Sequence, residues 1–331
     1  MNSAYLTYAG KRLTQAAVVI LLAYVFTFVV VSILPGDPIT SVLRNPQNGF
    51  SEEEIAQIVA AQGLDRPVLE QLWSSLANFL TGDLGLSMRS HRPVTTMIAE
   101  VLPSTLILAT SALVLALLLA VVVAYGTQVL PKRYGQGLLR AFPALFLSVP
   151  NFVIGLVLIH LFGFQLGLFR VINPDSAWAT FFAAVTLAIP ISAQIAEVLI
   201  ASLDHEAGQD YIAVARGRGL GPLRLFTRHL LKPSSLPVVT VIALTVGELL
   251  GGSLITETVF GRTGIGSLVQ RSVSTQDLPV LQAVVSLAAV VFVLANLVAD
   301  LVYPLLDPRV KLLGARPPHA RASKPAGATA P

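Results

Sequence analysis

The chain has 331 residues, of which 54% are hydrophobic and 12% charged, with a mean hydropathy of +0.73. A soluble domain carries about 25% charged residues, so this composition excludes an ordinary soluble domain and points to the membrane class. The absence of cysteine excludes disulfides and thiolate metal sites, and the formal net charge of +4 suits nucleic acid or anionic lipid as a partner, but its distribution favours a role in setting membrane topology.

A membrane-spanning helix needs about 20 mostly apolar residues. Six segments meet this in chain order: Leu13–Leu34, Leu106–Leu130, Leu139–Phe164, Trp178–Leu203, Leu236–Phe260 and Val280–Leu306. None shows the period-2 alternation of a barrel strand. The first is longer than a signal-peptide core of about 7–15 residues and no small-x-small cleavage pattern closes it, so it is expected to be a retained anchor. The expected fold is therefore an all-α integral membrane protein with six transmembrane helices.

Six spans put both termini on one side. Lys11, Arg12, Lys132, Arg133, Arg140, Arg216, Arg218, Arg224, Arg228, Lys232, Arg309, Lys311, Arg316, Arg321 and Lys324 all fall on the side of the termini, and they are fifteen of the 22 basic residues. The positive-inside rule then predicts cytoplasmic N and C termini. The expected domain plan is a cytoplasmic N-terminus (1–12), a first transmembrane helix (13–34) and an extracytoplasmic loop (35–103). A five-helix core (104–306) follows, containing a cytoplasmic loop at 204–235, and then a cytoplasmic tail (307–331).

In the outer loop, "SEEEIAQIVAAQGL" predicts a helix near 52–62. Ser51 is placed to cap it, Glu54 completes a capping box, and Gly63 stands at the stop. "GDLGLSMRSHRPV" reads as irregular structure. The tail "GARPPHARASKPAGATAP" lacks apolar residues to bury and is expected to be disordered.

"DYIAVARGRGLGPLRLFTRHLLKP" (Asp210–Pro233) is a polar island between apolar runs. Asp210 at the start and Arg216 and Arg218 at the end of a short helix suit the helix dipole. Gly219 marks a left-handed stop, and Pro222 opens a second helix. Leu223, Phe226 and Leu230 form an apolar stripe, Arg224, Arg228 and Lys232 recur on another face, and Pro233 and Pro237 are expected to end this helix before the fifth span. Fixing topology needs only a few charges. A loop of this length, with cap, stop and stripe in order, reads as a docking structure with one face toward the membrane domain and one toward a partner.

The island resembles the cytoplasmic EAA loop of ABC importer permeases, and more closely that of the dipeptide/oligopeptide/nickel permease family. Ala213, Val214 and Ala215 fall at the Glu-Ala-Ala positions, so the glutamate is absent; Gly219 matches the motif glycine, and Leu236 and Pro237 the closing Leu-Pro. "LPGDP" (Leu34–Pro38), "GLDRP" (Gly63–Pro67), "GDLGLS" (Gly82–Ser87), "LPSTLILA" (Leu102–Ala109), "SVPNFVIGLVL" (Ser148–Leu158), "GGSLITETVFGRTGIGSL" (Gly251–Leu268) and "NLVADLVYPLLDPRVK" (Asn296–Lys311) extend the resemblance over nearly the whole chain. It implies a type I ABC importer-like transmembrane domain in the bacterial inner membrane, forming half of a translocation path. The implied partners are a homologous second permease, two ATP-binding ABC subunits, an extracytoplasmic substrate-binding protein, a peptide substrate and membrane lipid, with no cofactor, no metal and no nucleic acid. The EAA loop of such proteins inserts a coupling helix into an ATPase subunit. Here that assigns coupling to Asp210–Gly219, with Asp210, Ala213, Ala215, Arg216, Arg218, Gly219, Arg224 and Arg228 as the docking residues.

Polar residues inside apolar runs are costly and are functional candidates by default. His160, Gln194, Glu197 and Asp300 read equally well as helix contacts or span-end residues. Glu248 is the sharpest, one turn before Gly251 and Gly252, which allow close helix approach. Asn151, Glu248 and Asn296 are the candidates for the path, with Glu248 facing a cationic part of the substrate. Pro143, Pro150 and Pro190 are expected to kink the third and fourth spans.

An enzyme is the first alternative. No phosphate-binding loop, H-E-x-x-H or G-x-S-x-G occurs, so ATP hydrolysis is assigned to partner subunits. A self-sufficient secondary transporter is the second, and no internal repeat supports it. Within the importer class, nickel or another small solute is the alternative cargo; the absence of a metal-ligand cluster in the spans favours peptides.

Overall fold

A computed structural model of the chain describes residues 3–33, 51–62 and 66–306. The tail beyond Leu306, expected to be disordered, the Leu34–Pro38 motif and the Gly63 stop lie outside these residues. All regular structure described is helical, and the single β-bridge joins Leu86 to Pro93 in the irregular outer segment.

The chain begins with α1 (Ser3–Ile33), followed by α2 (Glu52–Gln62). The capping box of α2 is present: the Ser51 N–H donates to Glu54 Oε2 at 2.8 Å and the Glu54 N–H donates to Ser51 Oγ at 3.2 Å. The Ser51 hydroxyl also donates to Glu54 Oε2 at 3.1 Å, and the Ser51 N–H first and its hydroxyl second hold the Glu54 carboxyl below the ordinary carboxylate range. A helix not expected from the sequence, α3 (Val68–Thr81), follows Pro67 and closes on Gly82 at φ +84°. It buries no residue of its own, but Phe79 meets Tyr24 of α1 with ring centroids 4.5 Å apart.

The core begins with α4 (Val94–Val129), which starts twelve residues before the expected span and runs through Pro103. The expected boundary at 103/104 therefore falls inside one helix. A kinked turn at 132–136, with Gly135 at φ +99°, leads to α5 (Gly137–Leu147), and α6 (Asn151–Leu158) continues in a π-helical segment to Gln165. The third span is thus not one helix. The two segments meet at 105° across the break before Asn151. Pro150 cannot donate a helical hydrogen bond and its ring disfavours helix at the preceding residue, so the break falls there. Pro143, by contrast, sits within α5, and Pro190 sits within the single helix α7 (Ala177–Ala207). α7 starts at a true N-cap, with Ser176 Oγ accepting from the Ala179 N–H at 3.2 Å.

The Asp210–Pro233 segment forms α8 (Asp210–Gly217) and α9 (Pro222–Leu225), then a π-helical turn at 226–230 that runs into α10 (Leu231–Phe260). Pro233 and Pro237 do not end this run, as the sequence pattern had suggested. Pro233 lies in the first turn of α10, directly after the wide π-turn, where the loss of an N–H costs least. α11 (Ile265–Ser274) is a short helix between α10 and α12 (Leu278–Leu306). Among the described residues, five helices are long and apolar enough to cross a membrane, or six if the bent pair 132–165 counts as one span.

α7 is the centre of the packing. Leu108, Ala112, Ala116, Ala120 and Ala124 recur every four residues on α4 and are fully buried, and α7 answers with Ala179, Ala183, Ala184, Ala188 and Ala196. In lipid there is no hydrophobic drive between helices, so small residues that let backbones approach closely hold such a pair. The opposite side of α4, with Val114, Leu118 and Val122, is exposed. Phe162, Phe169, Phe182 and Phe260 stack at centroid separations of 4.5 to 6.1 Å and tie α7 to α10.

Candidate coupling and path-lining sites

The hairpin is built as a ledge. α8 carries Asp210 in its first turn and Arg216 in its last, and Gly219 beyond it takes φ +78°. The Leu220 N–H returns to the Ala215 carbonyl at 3.4 Å, which turns the chain back toward Pro222 at the first position of α9. Ile212, Ala215, Leu225, Phe226 and Leu230 are buried in the main core, and the Phe226 ring meets Tyr125 of α4 edge-on at 5.0 Å. Leu223, expected in the apolar stripe, is instead 61% exposed. Phe226 and Leu230 of that stripe are buried, and Leu225, beside Phe226, takes the inward place expected of Leu223.

Of the predicted docking residues, Ala215 is buried and seats the hairpin. Asp210, Ala213, Arg216, Arg218, Gly219, Arg224 and Arg228 are all exposed. The structure therefore separates a seating face from a charged outward face. Between the two helices lies a pocket of about 410 Å³ lined by Tyr211, Val214, Ala215, Arg218, Leu220 and His229.

Two attachments of this ledge were not read from the sequence. Tyr211 donates its hydroxyl to Glu206 Oε2 at 2.6 Å, bridging α8 to the end of α7, and approaches the His229 carbonyl at 3.5 Å. Partial desolvation first, then the Glu206 carboxylate, push the Tyr211 phenol up to about 12. Below the hairpin, Arg140 of α5 grips Asp204 of α7 with two bonds, Nη1 to Oδ2 at 2.6 Å and Nη2 to Oδ1 at 2.9 Å, and Gln128 of α4 donates to the same carboxylate at 3.0 Å. Three helices are thus joined at the root of the loop. No sequence spacing signals this, since the partners are 64 and 76 residues apart.

The path candidates divide. Glu248 is exposed on α10. Gly252, one turn on, faces the Asn151 amide at the start of α6: a Cβ built there would stand 3.7 Å from it. Asn151 and Glu248 therefore address the same stretch of α10, at the break in the third span. Asn296 is placed elsewhere. Its amide donates to the Phe292 carbonyl at 2.8 Å, and it lines a groove between α1 and α12 with Arg12 and Asp300.

The most deeply buried carboxylate is one the sequence reading passed over. Glu257 of α10 is fully buried and accepts from Thr105 Oγ1 at 2.7 Å, the Gly266 N–H at 2.8 Å and the Ser267 N–H at 3.4 Å. The Ile265 N–H in turn donates to Thr105 Oγ1 at 2.8 Å. The carboxylate caps α11, where an anion is favoured by the dipole and by unsatisfied N–H groups. A side chain on Gly264 would overlap the Glu257 carboxylate, and one on Gly266 would overlap the Leu254 backbone. The signal lay in Gly264-x-Gly266, two residues small enough to let a helix start against a carboxylate. Arg262, 4% exposed, braces the same corner through the Pro174 carbonyl at 2.7 Å, Thr180 Oγ1 at 2.6 Å and Ser104 Oγ at 3.1 Å. Nearby, buried Asp277 accepts from Ser87 Oγ and from the Met88 N–H, fastening the outer segment to the turn before α12.

Comparison with known proteins agrees with this architecture. Residues 116–312 match the binding-protein-dependent transport system inner membrane component family, and residues 5–109 match the N-terminal domain of the same class of membrane component. The glutathione transport system permease protein GsiC of Escherichia coli O6:H1 is 33% identical over 307 residues, 92% of this chain and 99% of the relative. The GsiC proteins of Shigella boydii serotype 4 and Escherichia coli K12 match to the same extent. A chain of the MetNI methionine ABC transporter, solved in inward-facing conformations, shares the fold at a TM-score of 0.53 and 17% identity, over 63% of this chain and 96% of that one. A transporter of this class draws its energy from ATP hydrolysis in separate subunits, and the permease itself is not an enzyme. The chain belongs to the family of binding-protein-dependent transport system inner membrane components, as a multi-pass permease subunit of an ATP-driven importer in the cytoplasmic membrane.

Proposed function

We propose that this permease imports short peptides, as one half of a path completed by a homologous second permease. Two ATP-binding subunits drive the importer, one of them docking on the cytoplasmic hairpin of this chain, and an extracytoplasmic binding protein delivers the substrate. The observation that carries the coupling role is the two-faced ledge of α8 and α9. Ile212, Ala215, Phe226 and Leu230 root it in the helix core, while Arg216, Arg218, Arg224 and Arg228 point away from it. A rigid element seated on the bundle transmits a push from an ATPase subunit to the spans, and an arginine-rich outer face offers hydrogen bonds to it. The peptide cargo is supported by similarity to permeases of a glutathione transport system, since glutathione is itself a peptide of three residues.

Within the path, Glu248 is assigned to the cationic amino group of the substrate, with Asn151 on the same stretch of α10. An exposed carboxylate within an otherwise apolar helix fits a wet path. Glu248→Gln should weaken uptake of peptides with a free amino terminus; unchanged uptake and affinity would remove Glu248 from the path. The test of the whole reading is uptake of labelled dipeptide and glutathione in cells with and without this gene, challenged by unlabelled tripeptide, pentapeptide and nickel. Loss of peptide uptake on deletion is expected. Intact peptide uptake with loss of nickel would overturn the cargo and keep the importer.

A further inference from the structure

The groove between α1 and α12 has a volume of about 750 Å³. Its body is apolar, with Val18 and Val19 on one wall and Phe292 and Val293 on the other. Val18, Val19 and Phe292 are 48%, 49% and 38% exposed, so the groove is open along its length. One end is polar and carries Lys11, Arg12 and Asp300. Arg12 and Asp300 are paired at 3.3 Å, and Arg12 also reaches Gln15. Taken together, two cations and one anion leave that end with a net positive charge. The axial distance from Lys11 to Val19 is about 12 Å at 1.5 Å per residue, the length of the upper part of an acyl chain.

We propose that this groove is a binding site for one anionic glycerophospholipid, its acyl chain between Val18, Val19 and Phe292 and its phosphate at Lys11. The occupant is argued from charge and shape together. An apolar trough on a membrane helix pair accepts hydrocarbon, and a single surplus cation at its mouth selects a negative headgroup. Asp300 does not repel it, because Arg12 compensates that carboxylate directly. A peptide cargo fits worse, since Val18, Val19, Phe292 and Val293 offer no partner for amide groups along the body of the groove. The inference does not depend on the cargo.

The complete importer, purified with its partner subunits, is the material for the test. Native mass spectrometry after reconstitution in phosphatidylethanolamine with phosphatidylglycerol should show one retained phosphatidylglycerol per copy of this chain. Lys11→Gln should lower that retention about fivefold, the worth of one basic side chain at an anionic surface. Val19→Trp, which fills the trough without touching the charge, should abolish it. A photo-crosslinking residue at Val18 reports what lies there directly. Adducts to phospholipid are expected; adducts to the second permease subunit, or equal retention in the wild type and both variants, would overturn the proposal.

Discussion

Tyr211 ties the loop helix α8 to the end of α7. Its hydroxyl reaches Glu206 at 2.6 Å, across the joint between α7 and α8. A hydrogen bond to a charged acceptor is worth about 1.5–3 kcal/mol when shielded, and less here because the ring is half exposed. Tyr211→Phe should leave the importer assembled but lower transport per ATP hydrolysed, measured as the ratio of uptake to phosphate release in proteoliposomes. The phenol favours its neutral form when folded. Its contribution is therefore complete below the ordinary tyrosine range near 10 and is lost only as pH rises through about 12, so the clasp holds at every physiological pH. Glu257 acts on stability rather than coupling. Glu257→Leu removes the acceptor that the Gly266 and Ser267 N–H groups need, and should cost about 2–4 kcal/mol. Gly266→Ala should cost about 1–3 kcal/mol through overlap with Leu254. Thermal unfolding of the purified complex checks both, and unchanged melting in both would show that the α11 cap is not a structural anchor.

At the scale of an element, the turn between α8 and α9 depends on one backbone conformation. Gly219 sits at φ +78°, where a β-branched residue is strained by about 1–2 kcal/mol. Gly219→Val should therefore misplace Arg216 and Arg218 and reduce co-purification of the ATPase subunits, with this chain still inserted in the membrane. Gly219→Asn, which tolerates the left-handed region, should restore most of it. The start of α2 responds to acid. The Glu54 carboxyl is held low by the Ser51 N–H first and its hydroxyl second, so this support is present above the ordinary carboxylate range and is lost as pH falls through the lowered value. Hydrogen exchange across 52–62, corrected for intrinsic rate, should rise on acidification in the wild type and be already raised at neutral pH in Glu54→Ala.

For the whole molecule, the arrangement is a central helix, α7, flanked by α4 and α10, with α1 and α12 at one side. The Arg140–Asp204–Gln128 knot lies at the root of the hairpin, where, on the proposed coupling role, a push on it would enter the bundle. Arg140→Ala should leave ATPase subunits bound yet reduce uptake several-fold, because docking and transmission use different residues. If binding and uptake fall together, the knot holds the hairpin in place rather than passing its motion on.

Much of this was legible in the chain. Five long apolar runs, the capping box at Ser51 and Glu54, the stop at Gly219 and the helix start at Pro222 are local features, and local chemistry decides them: hydrophobic length, a side-chain oxygen near free N–H groups, a residue that tolerates positive φ, and a ring that presets φ. The tertiary structure decided what local chemistry leaves open. Pro150 breaks the third span through 105° whereas Pro233 and Pro237 leave α10 intact, because the cost of a missing N–H depends on the turn around it. Leu223 faces out and Leu225 in, because residues two apart on a helix lie on opposite sides and the packing, not the sequence pattern, chose which side meets the core. Glu248 stands exposed and Glu257 buried, though both are glutamates in one apolar helix, because only Glu257 meets the open N-terminus of another helix, where three donors compensate its burial.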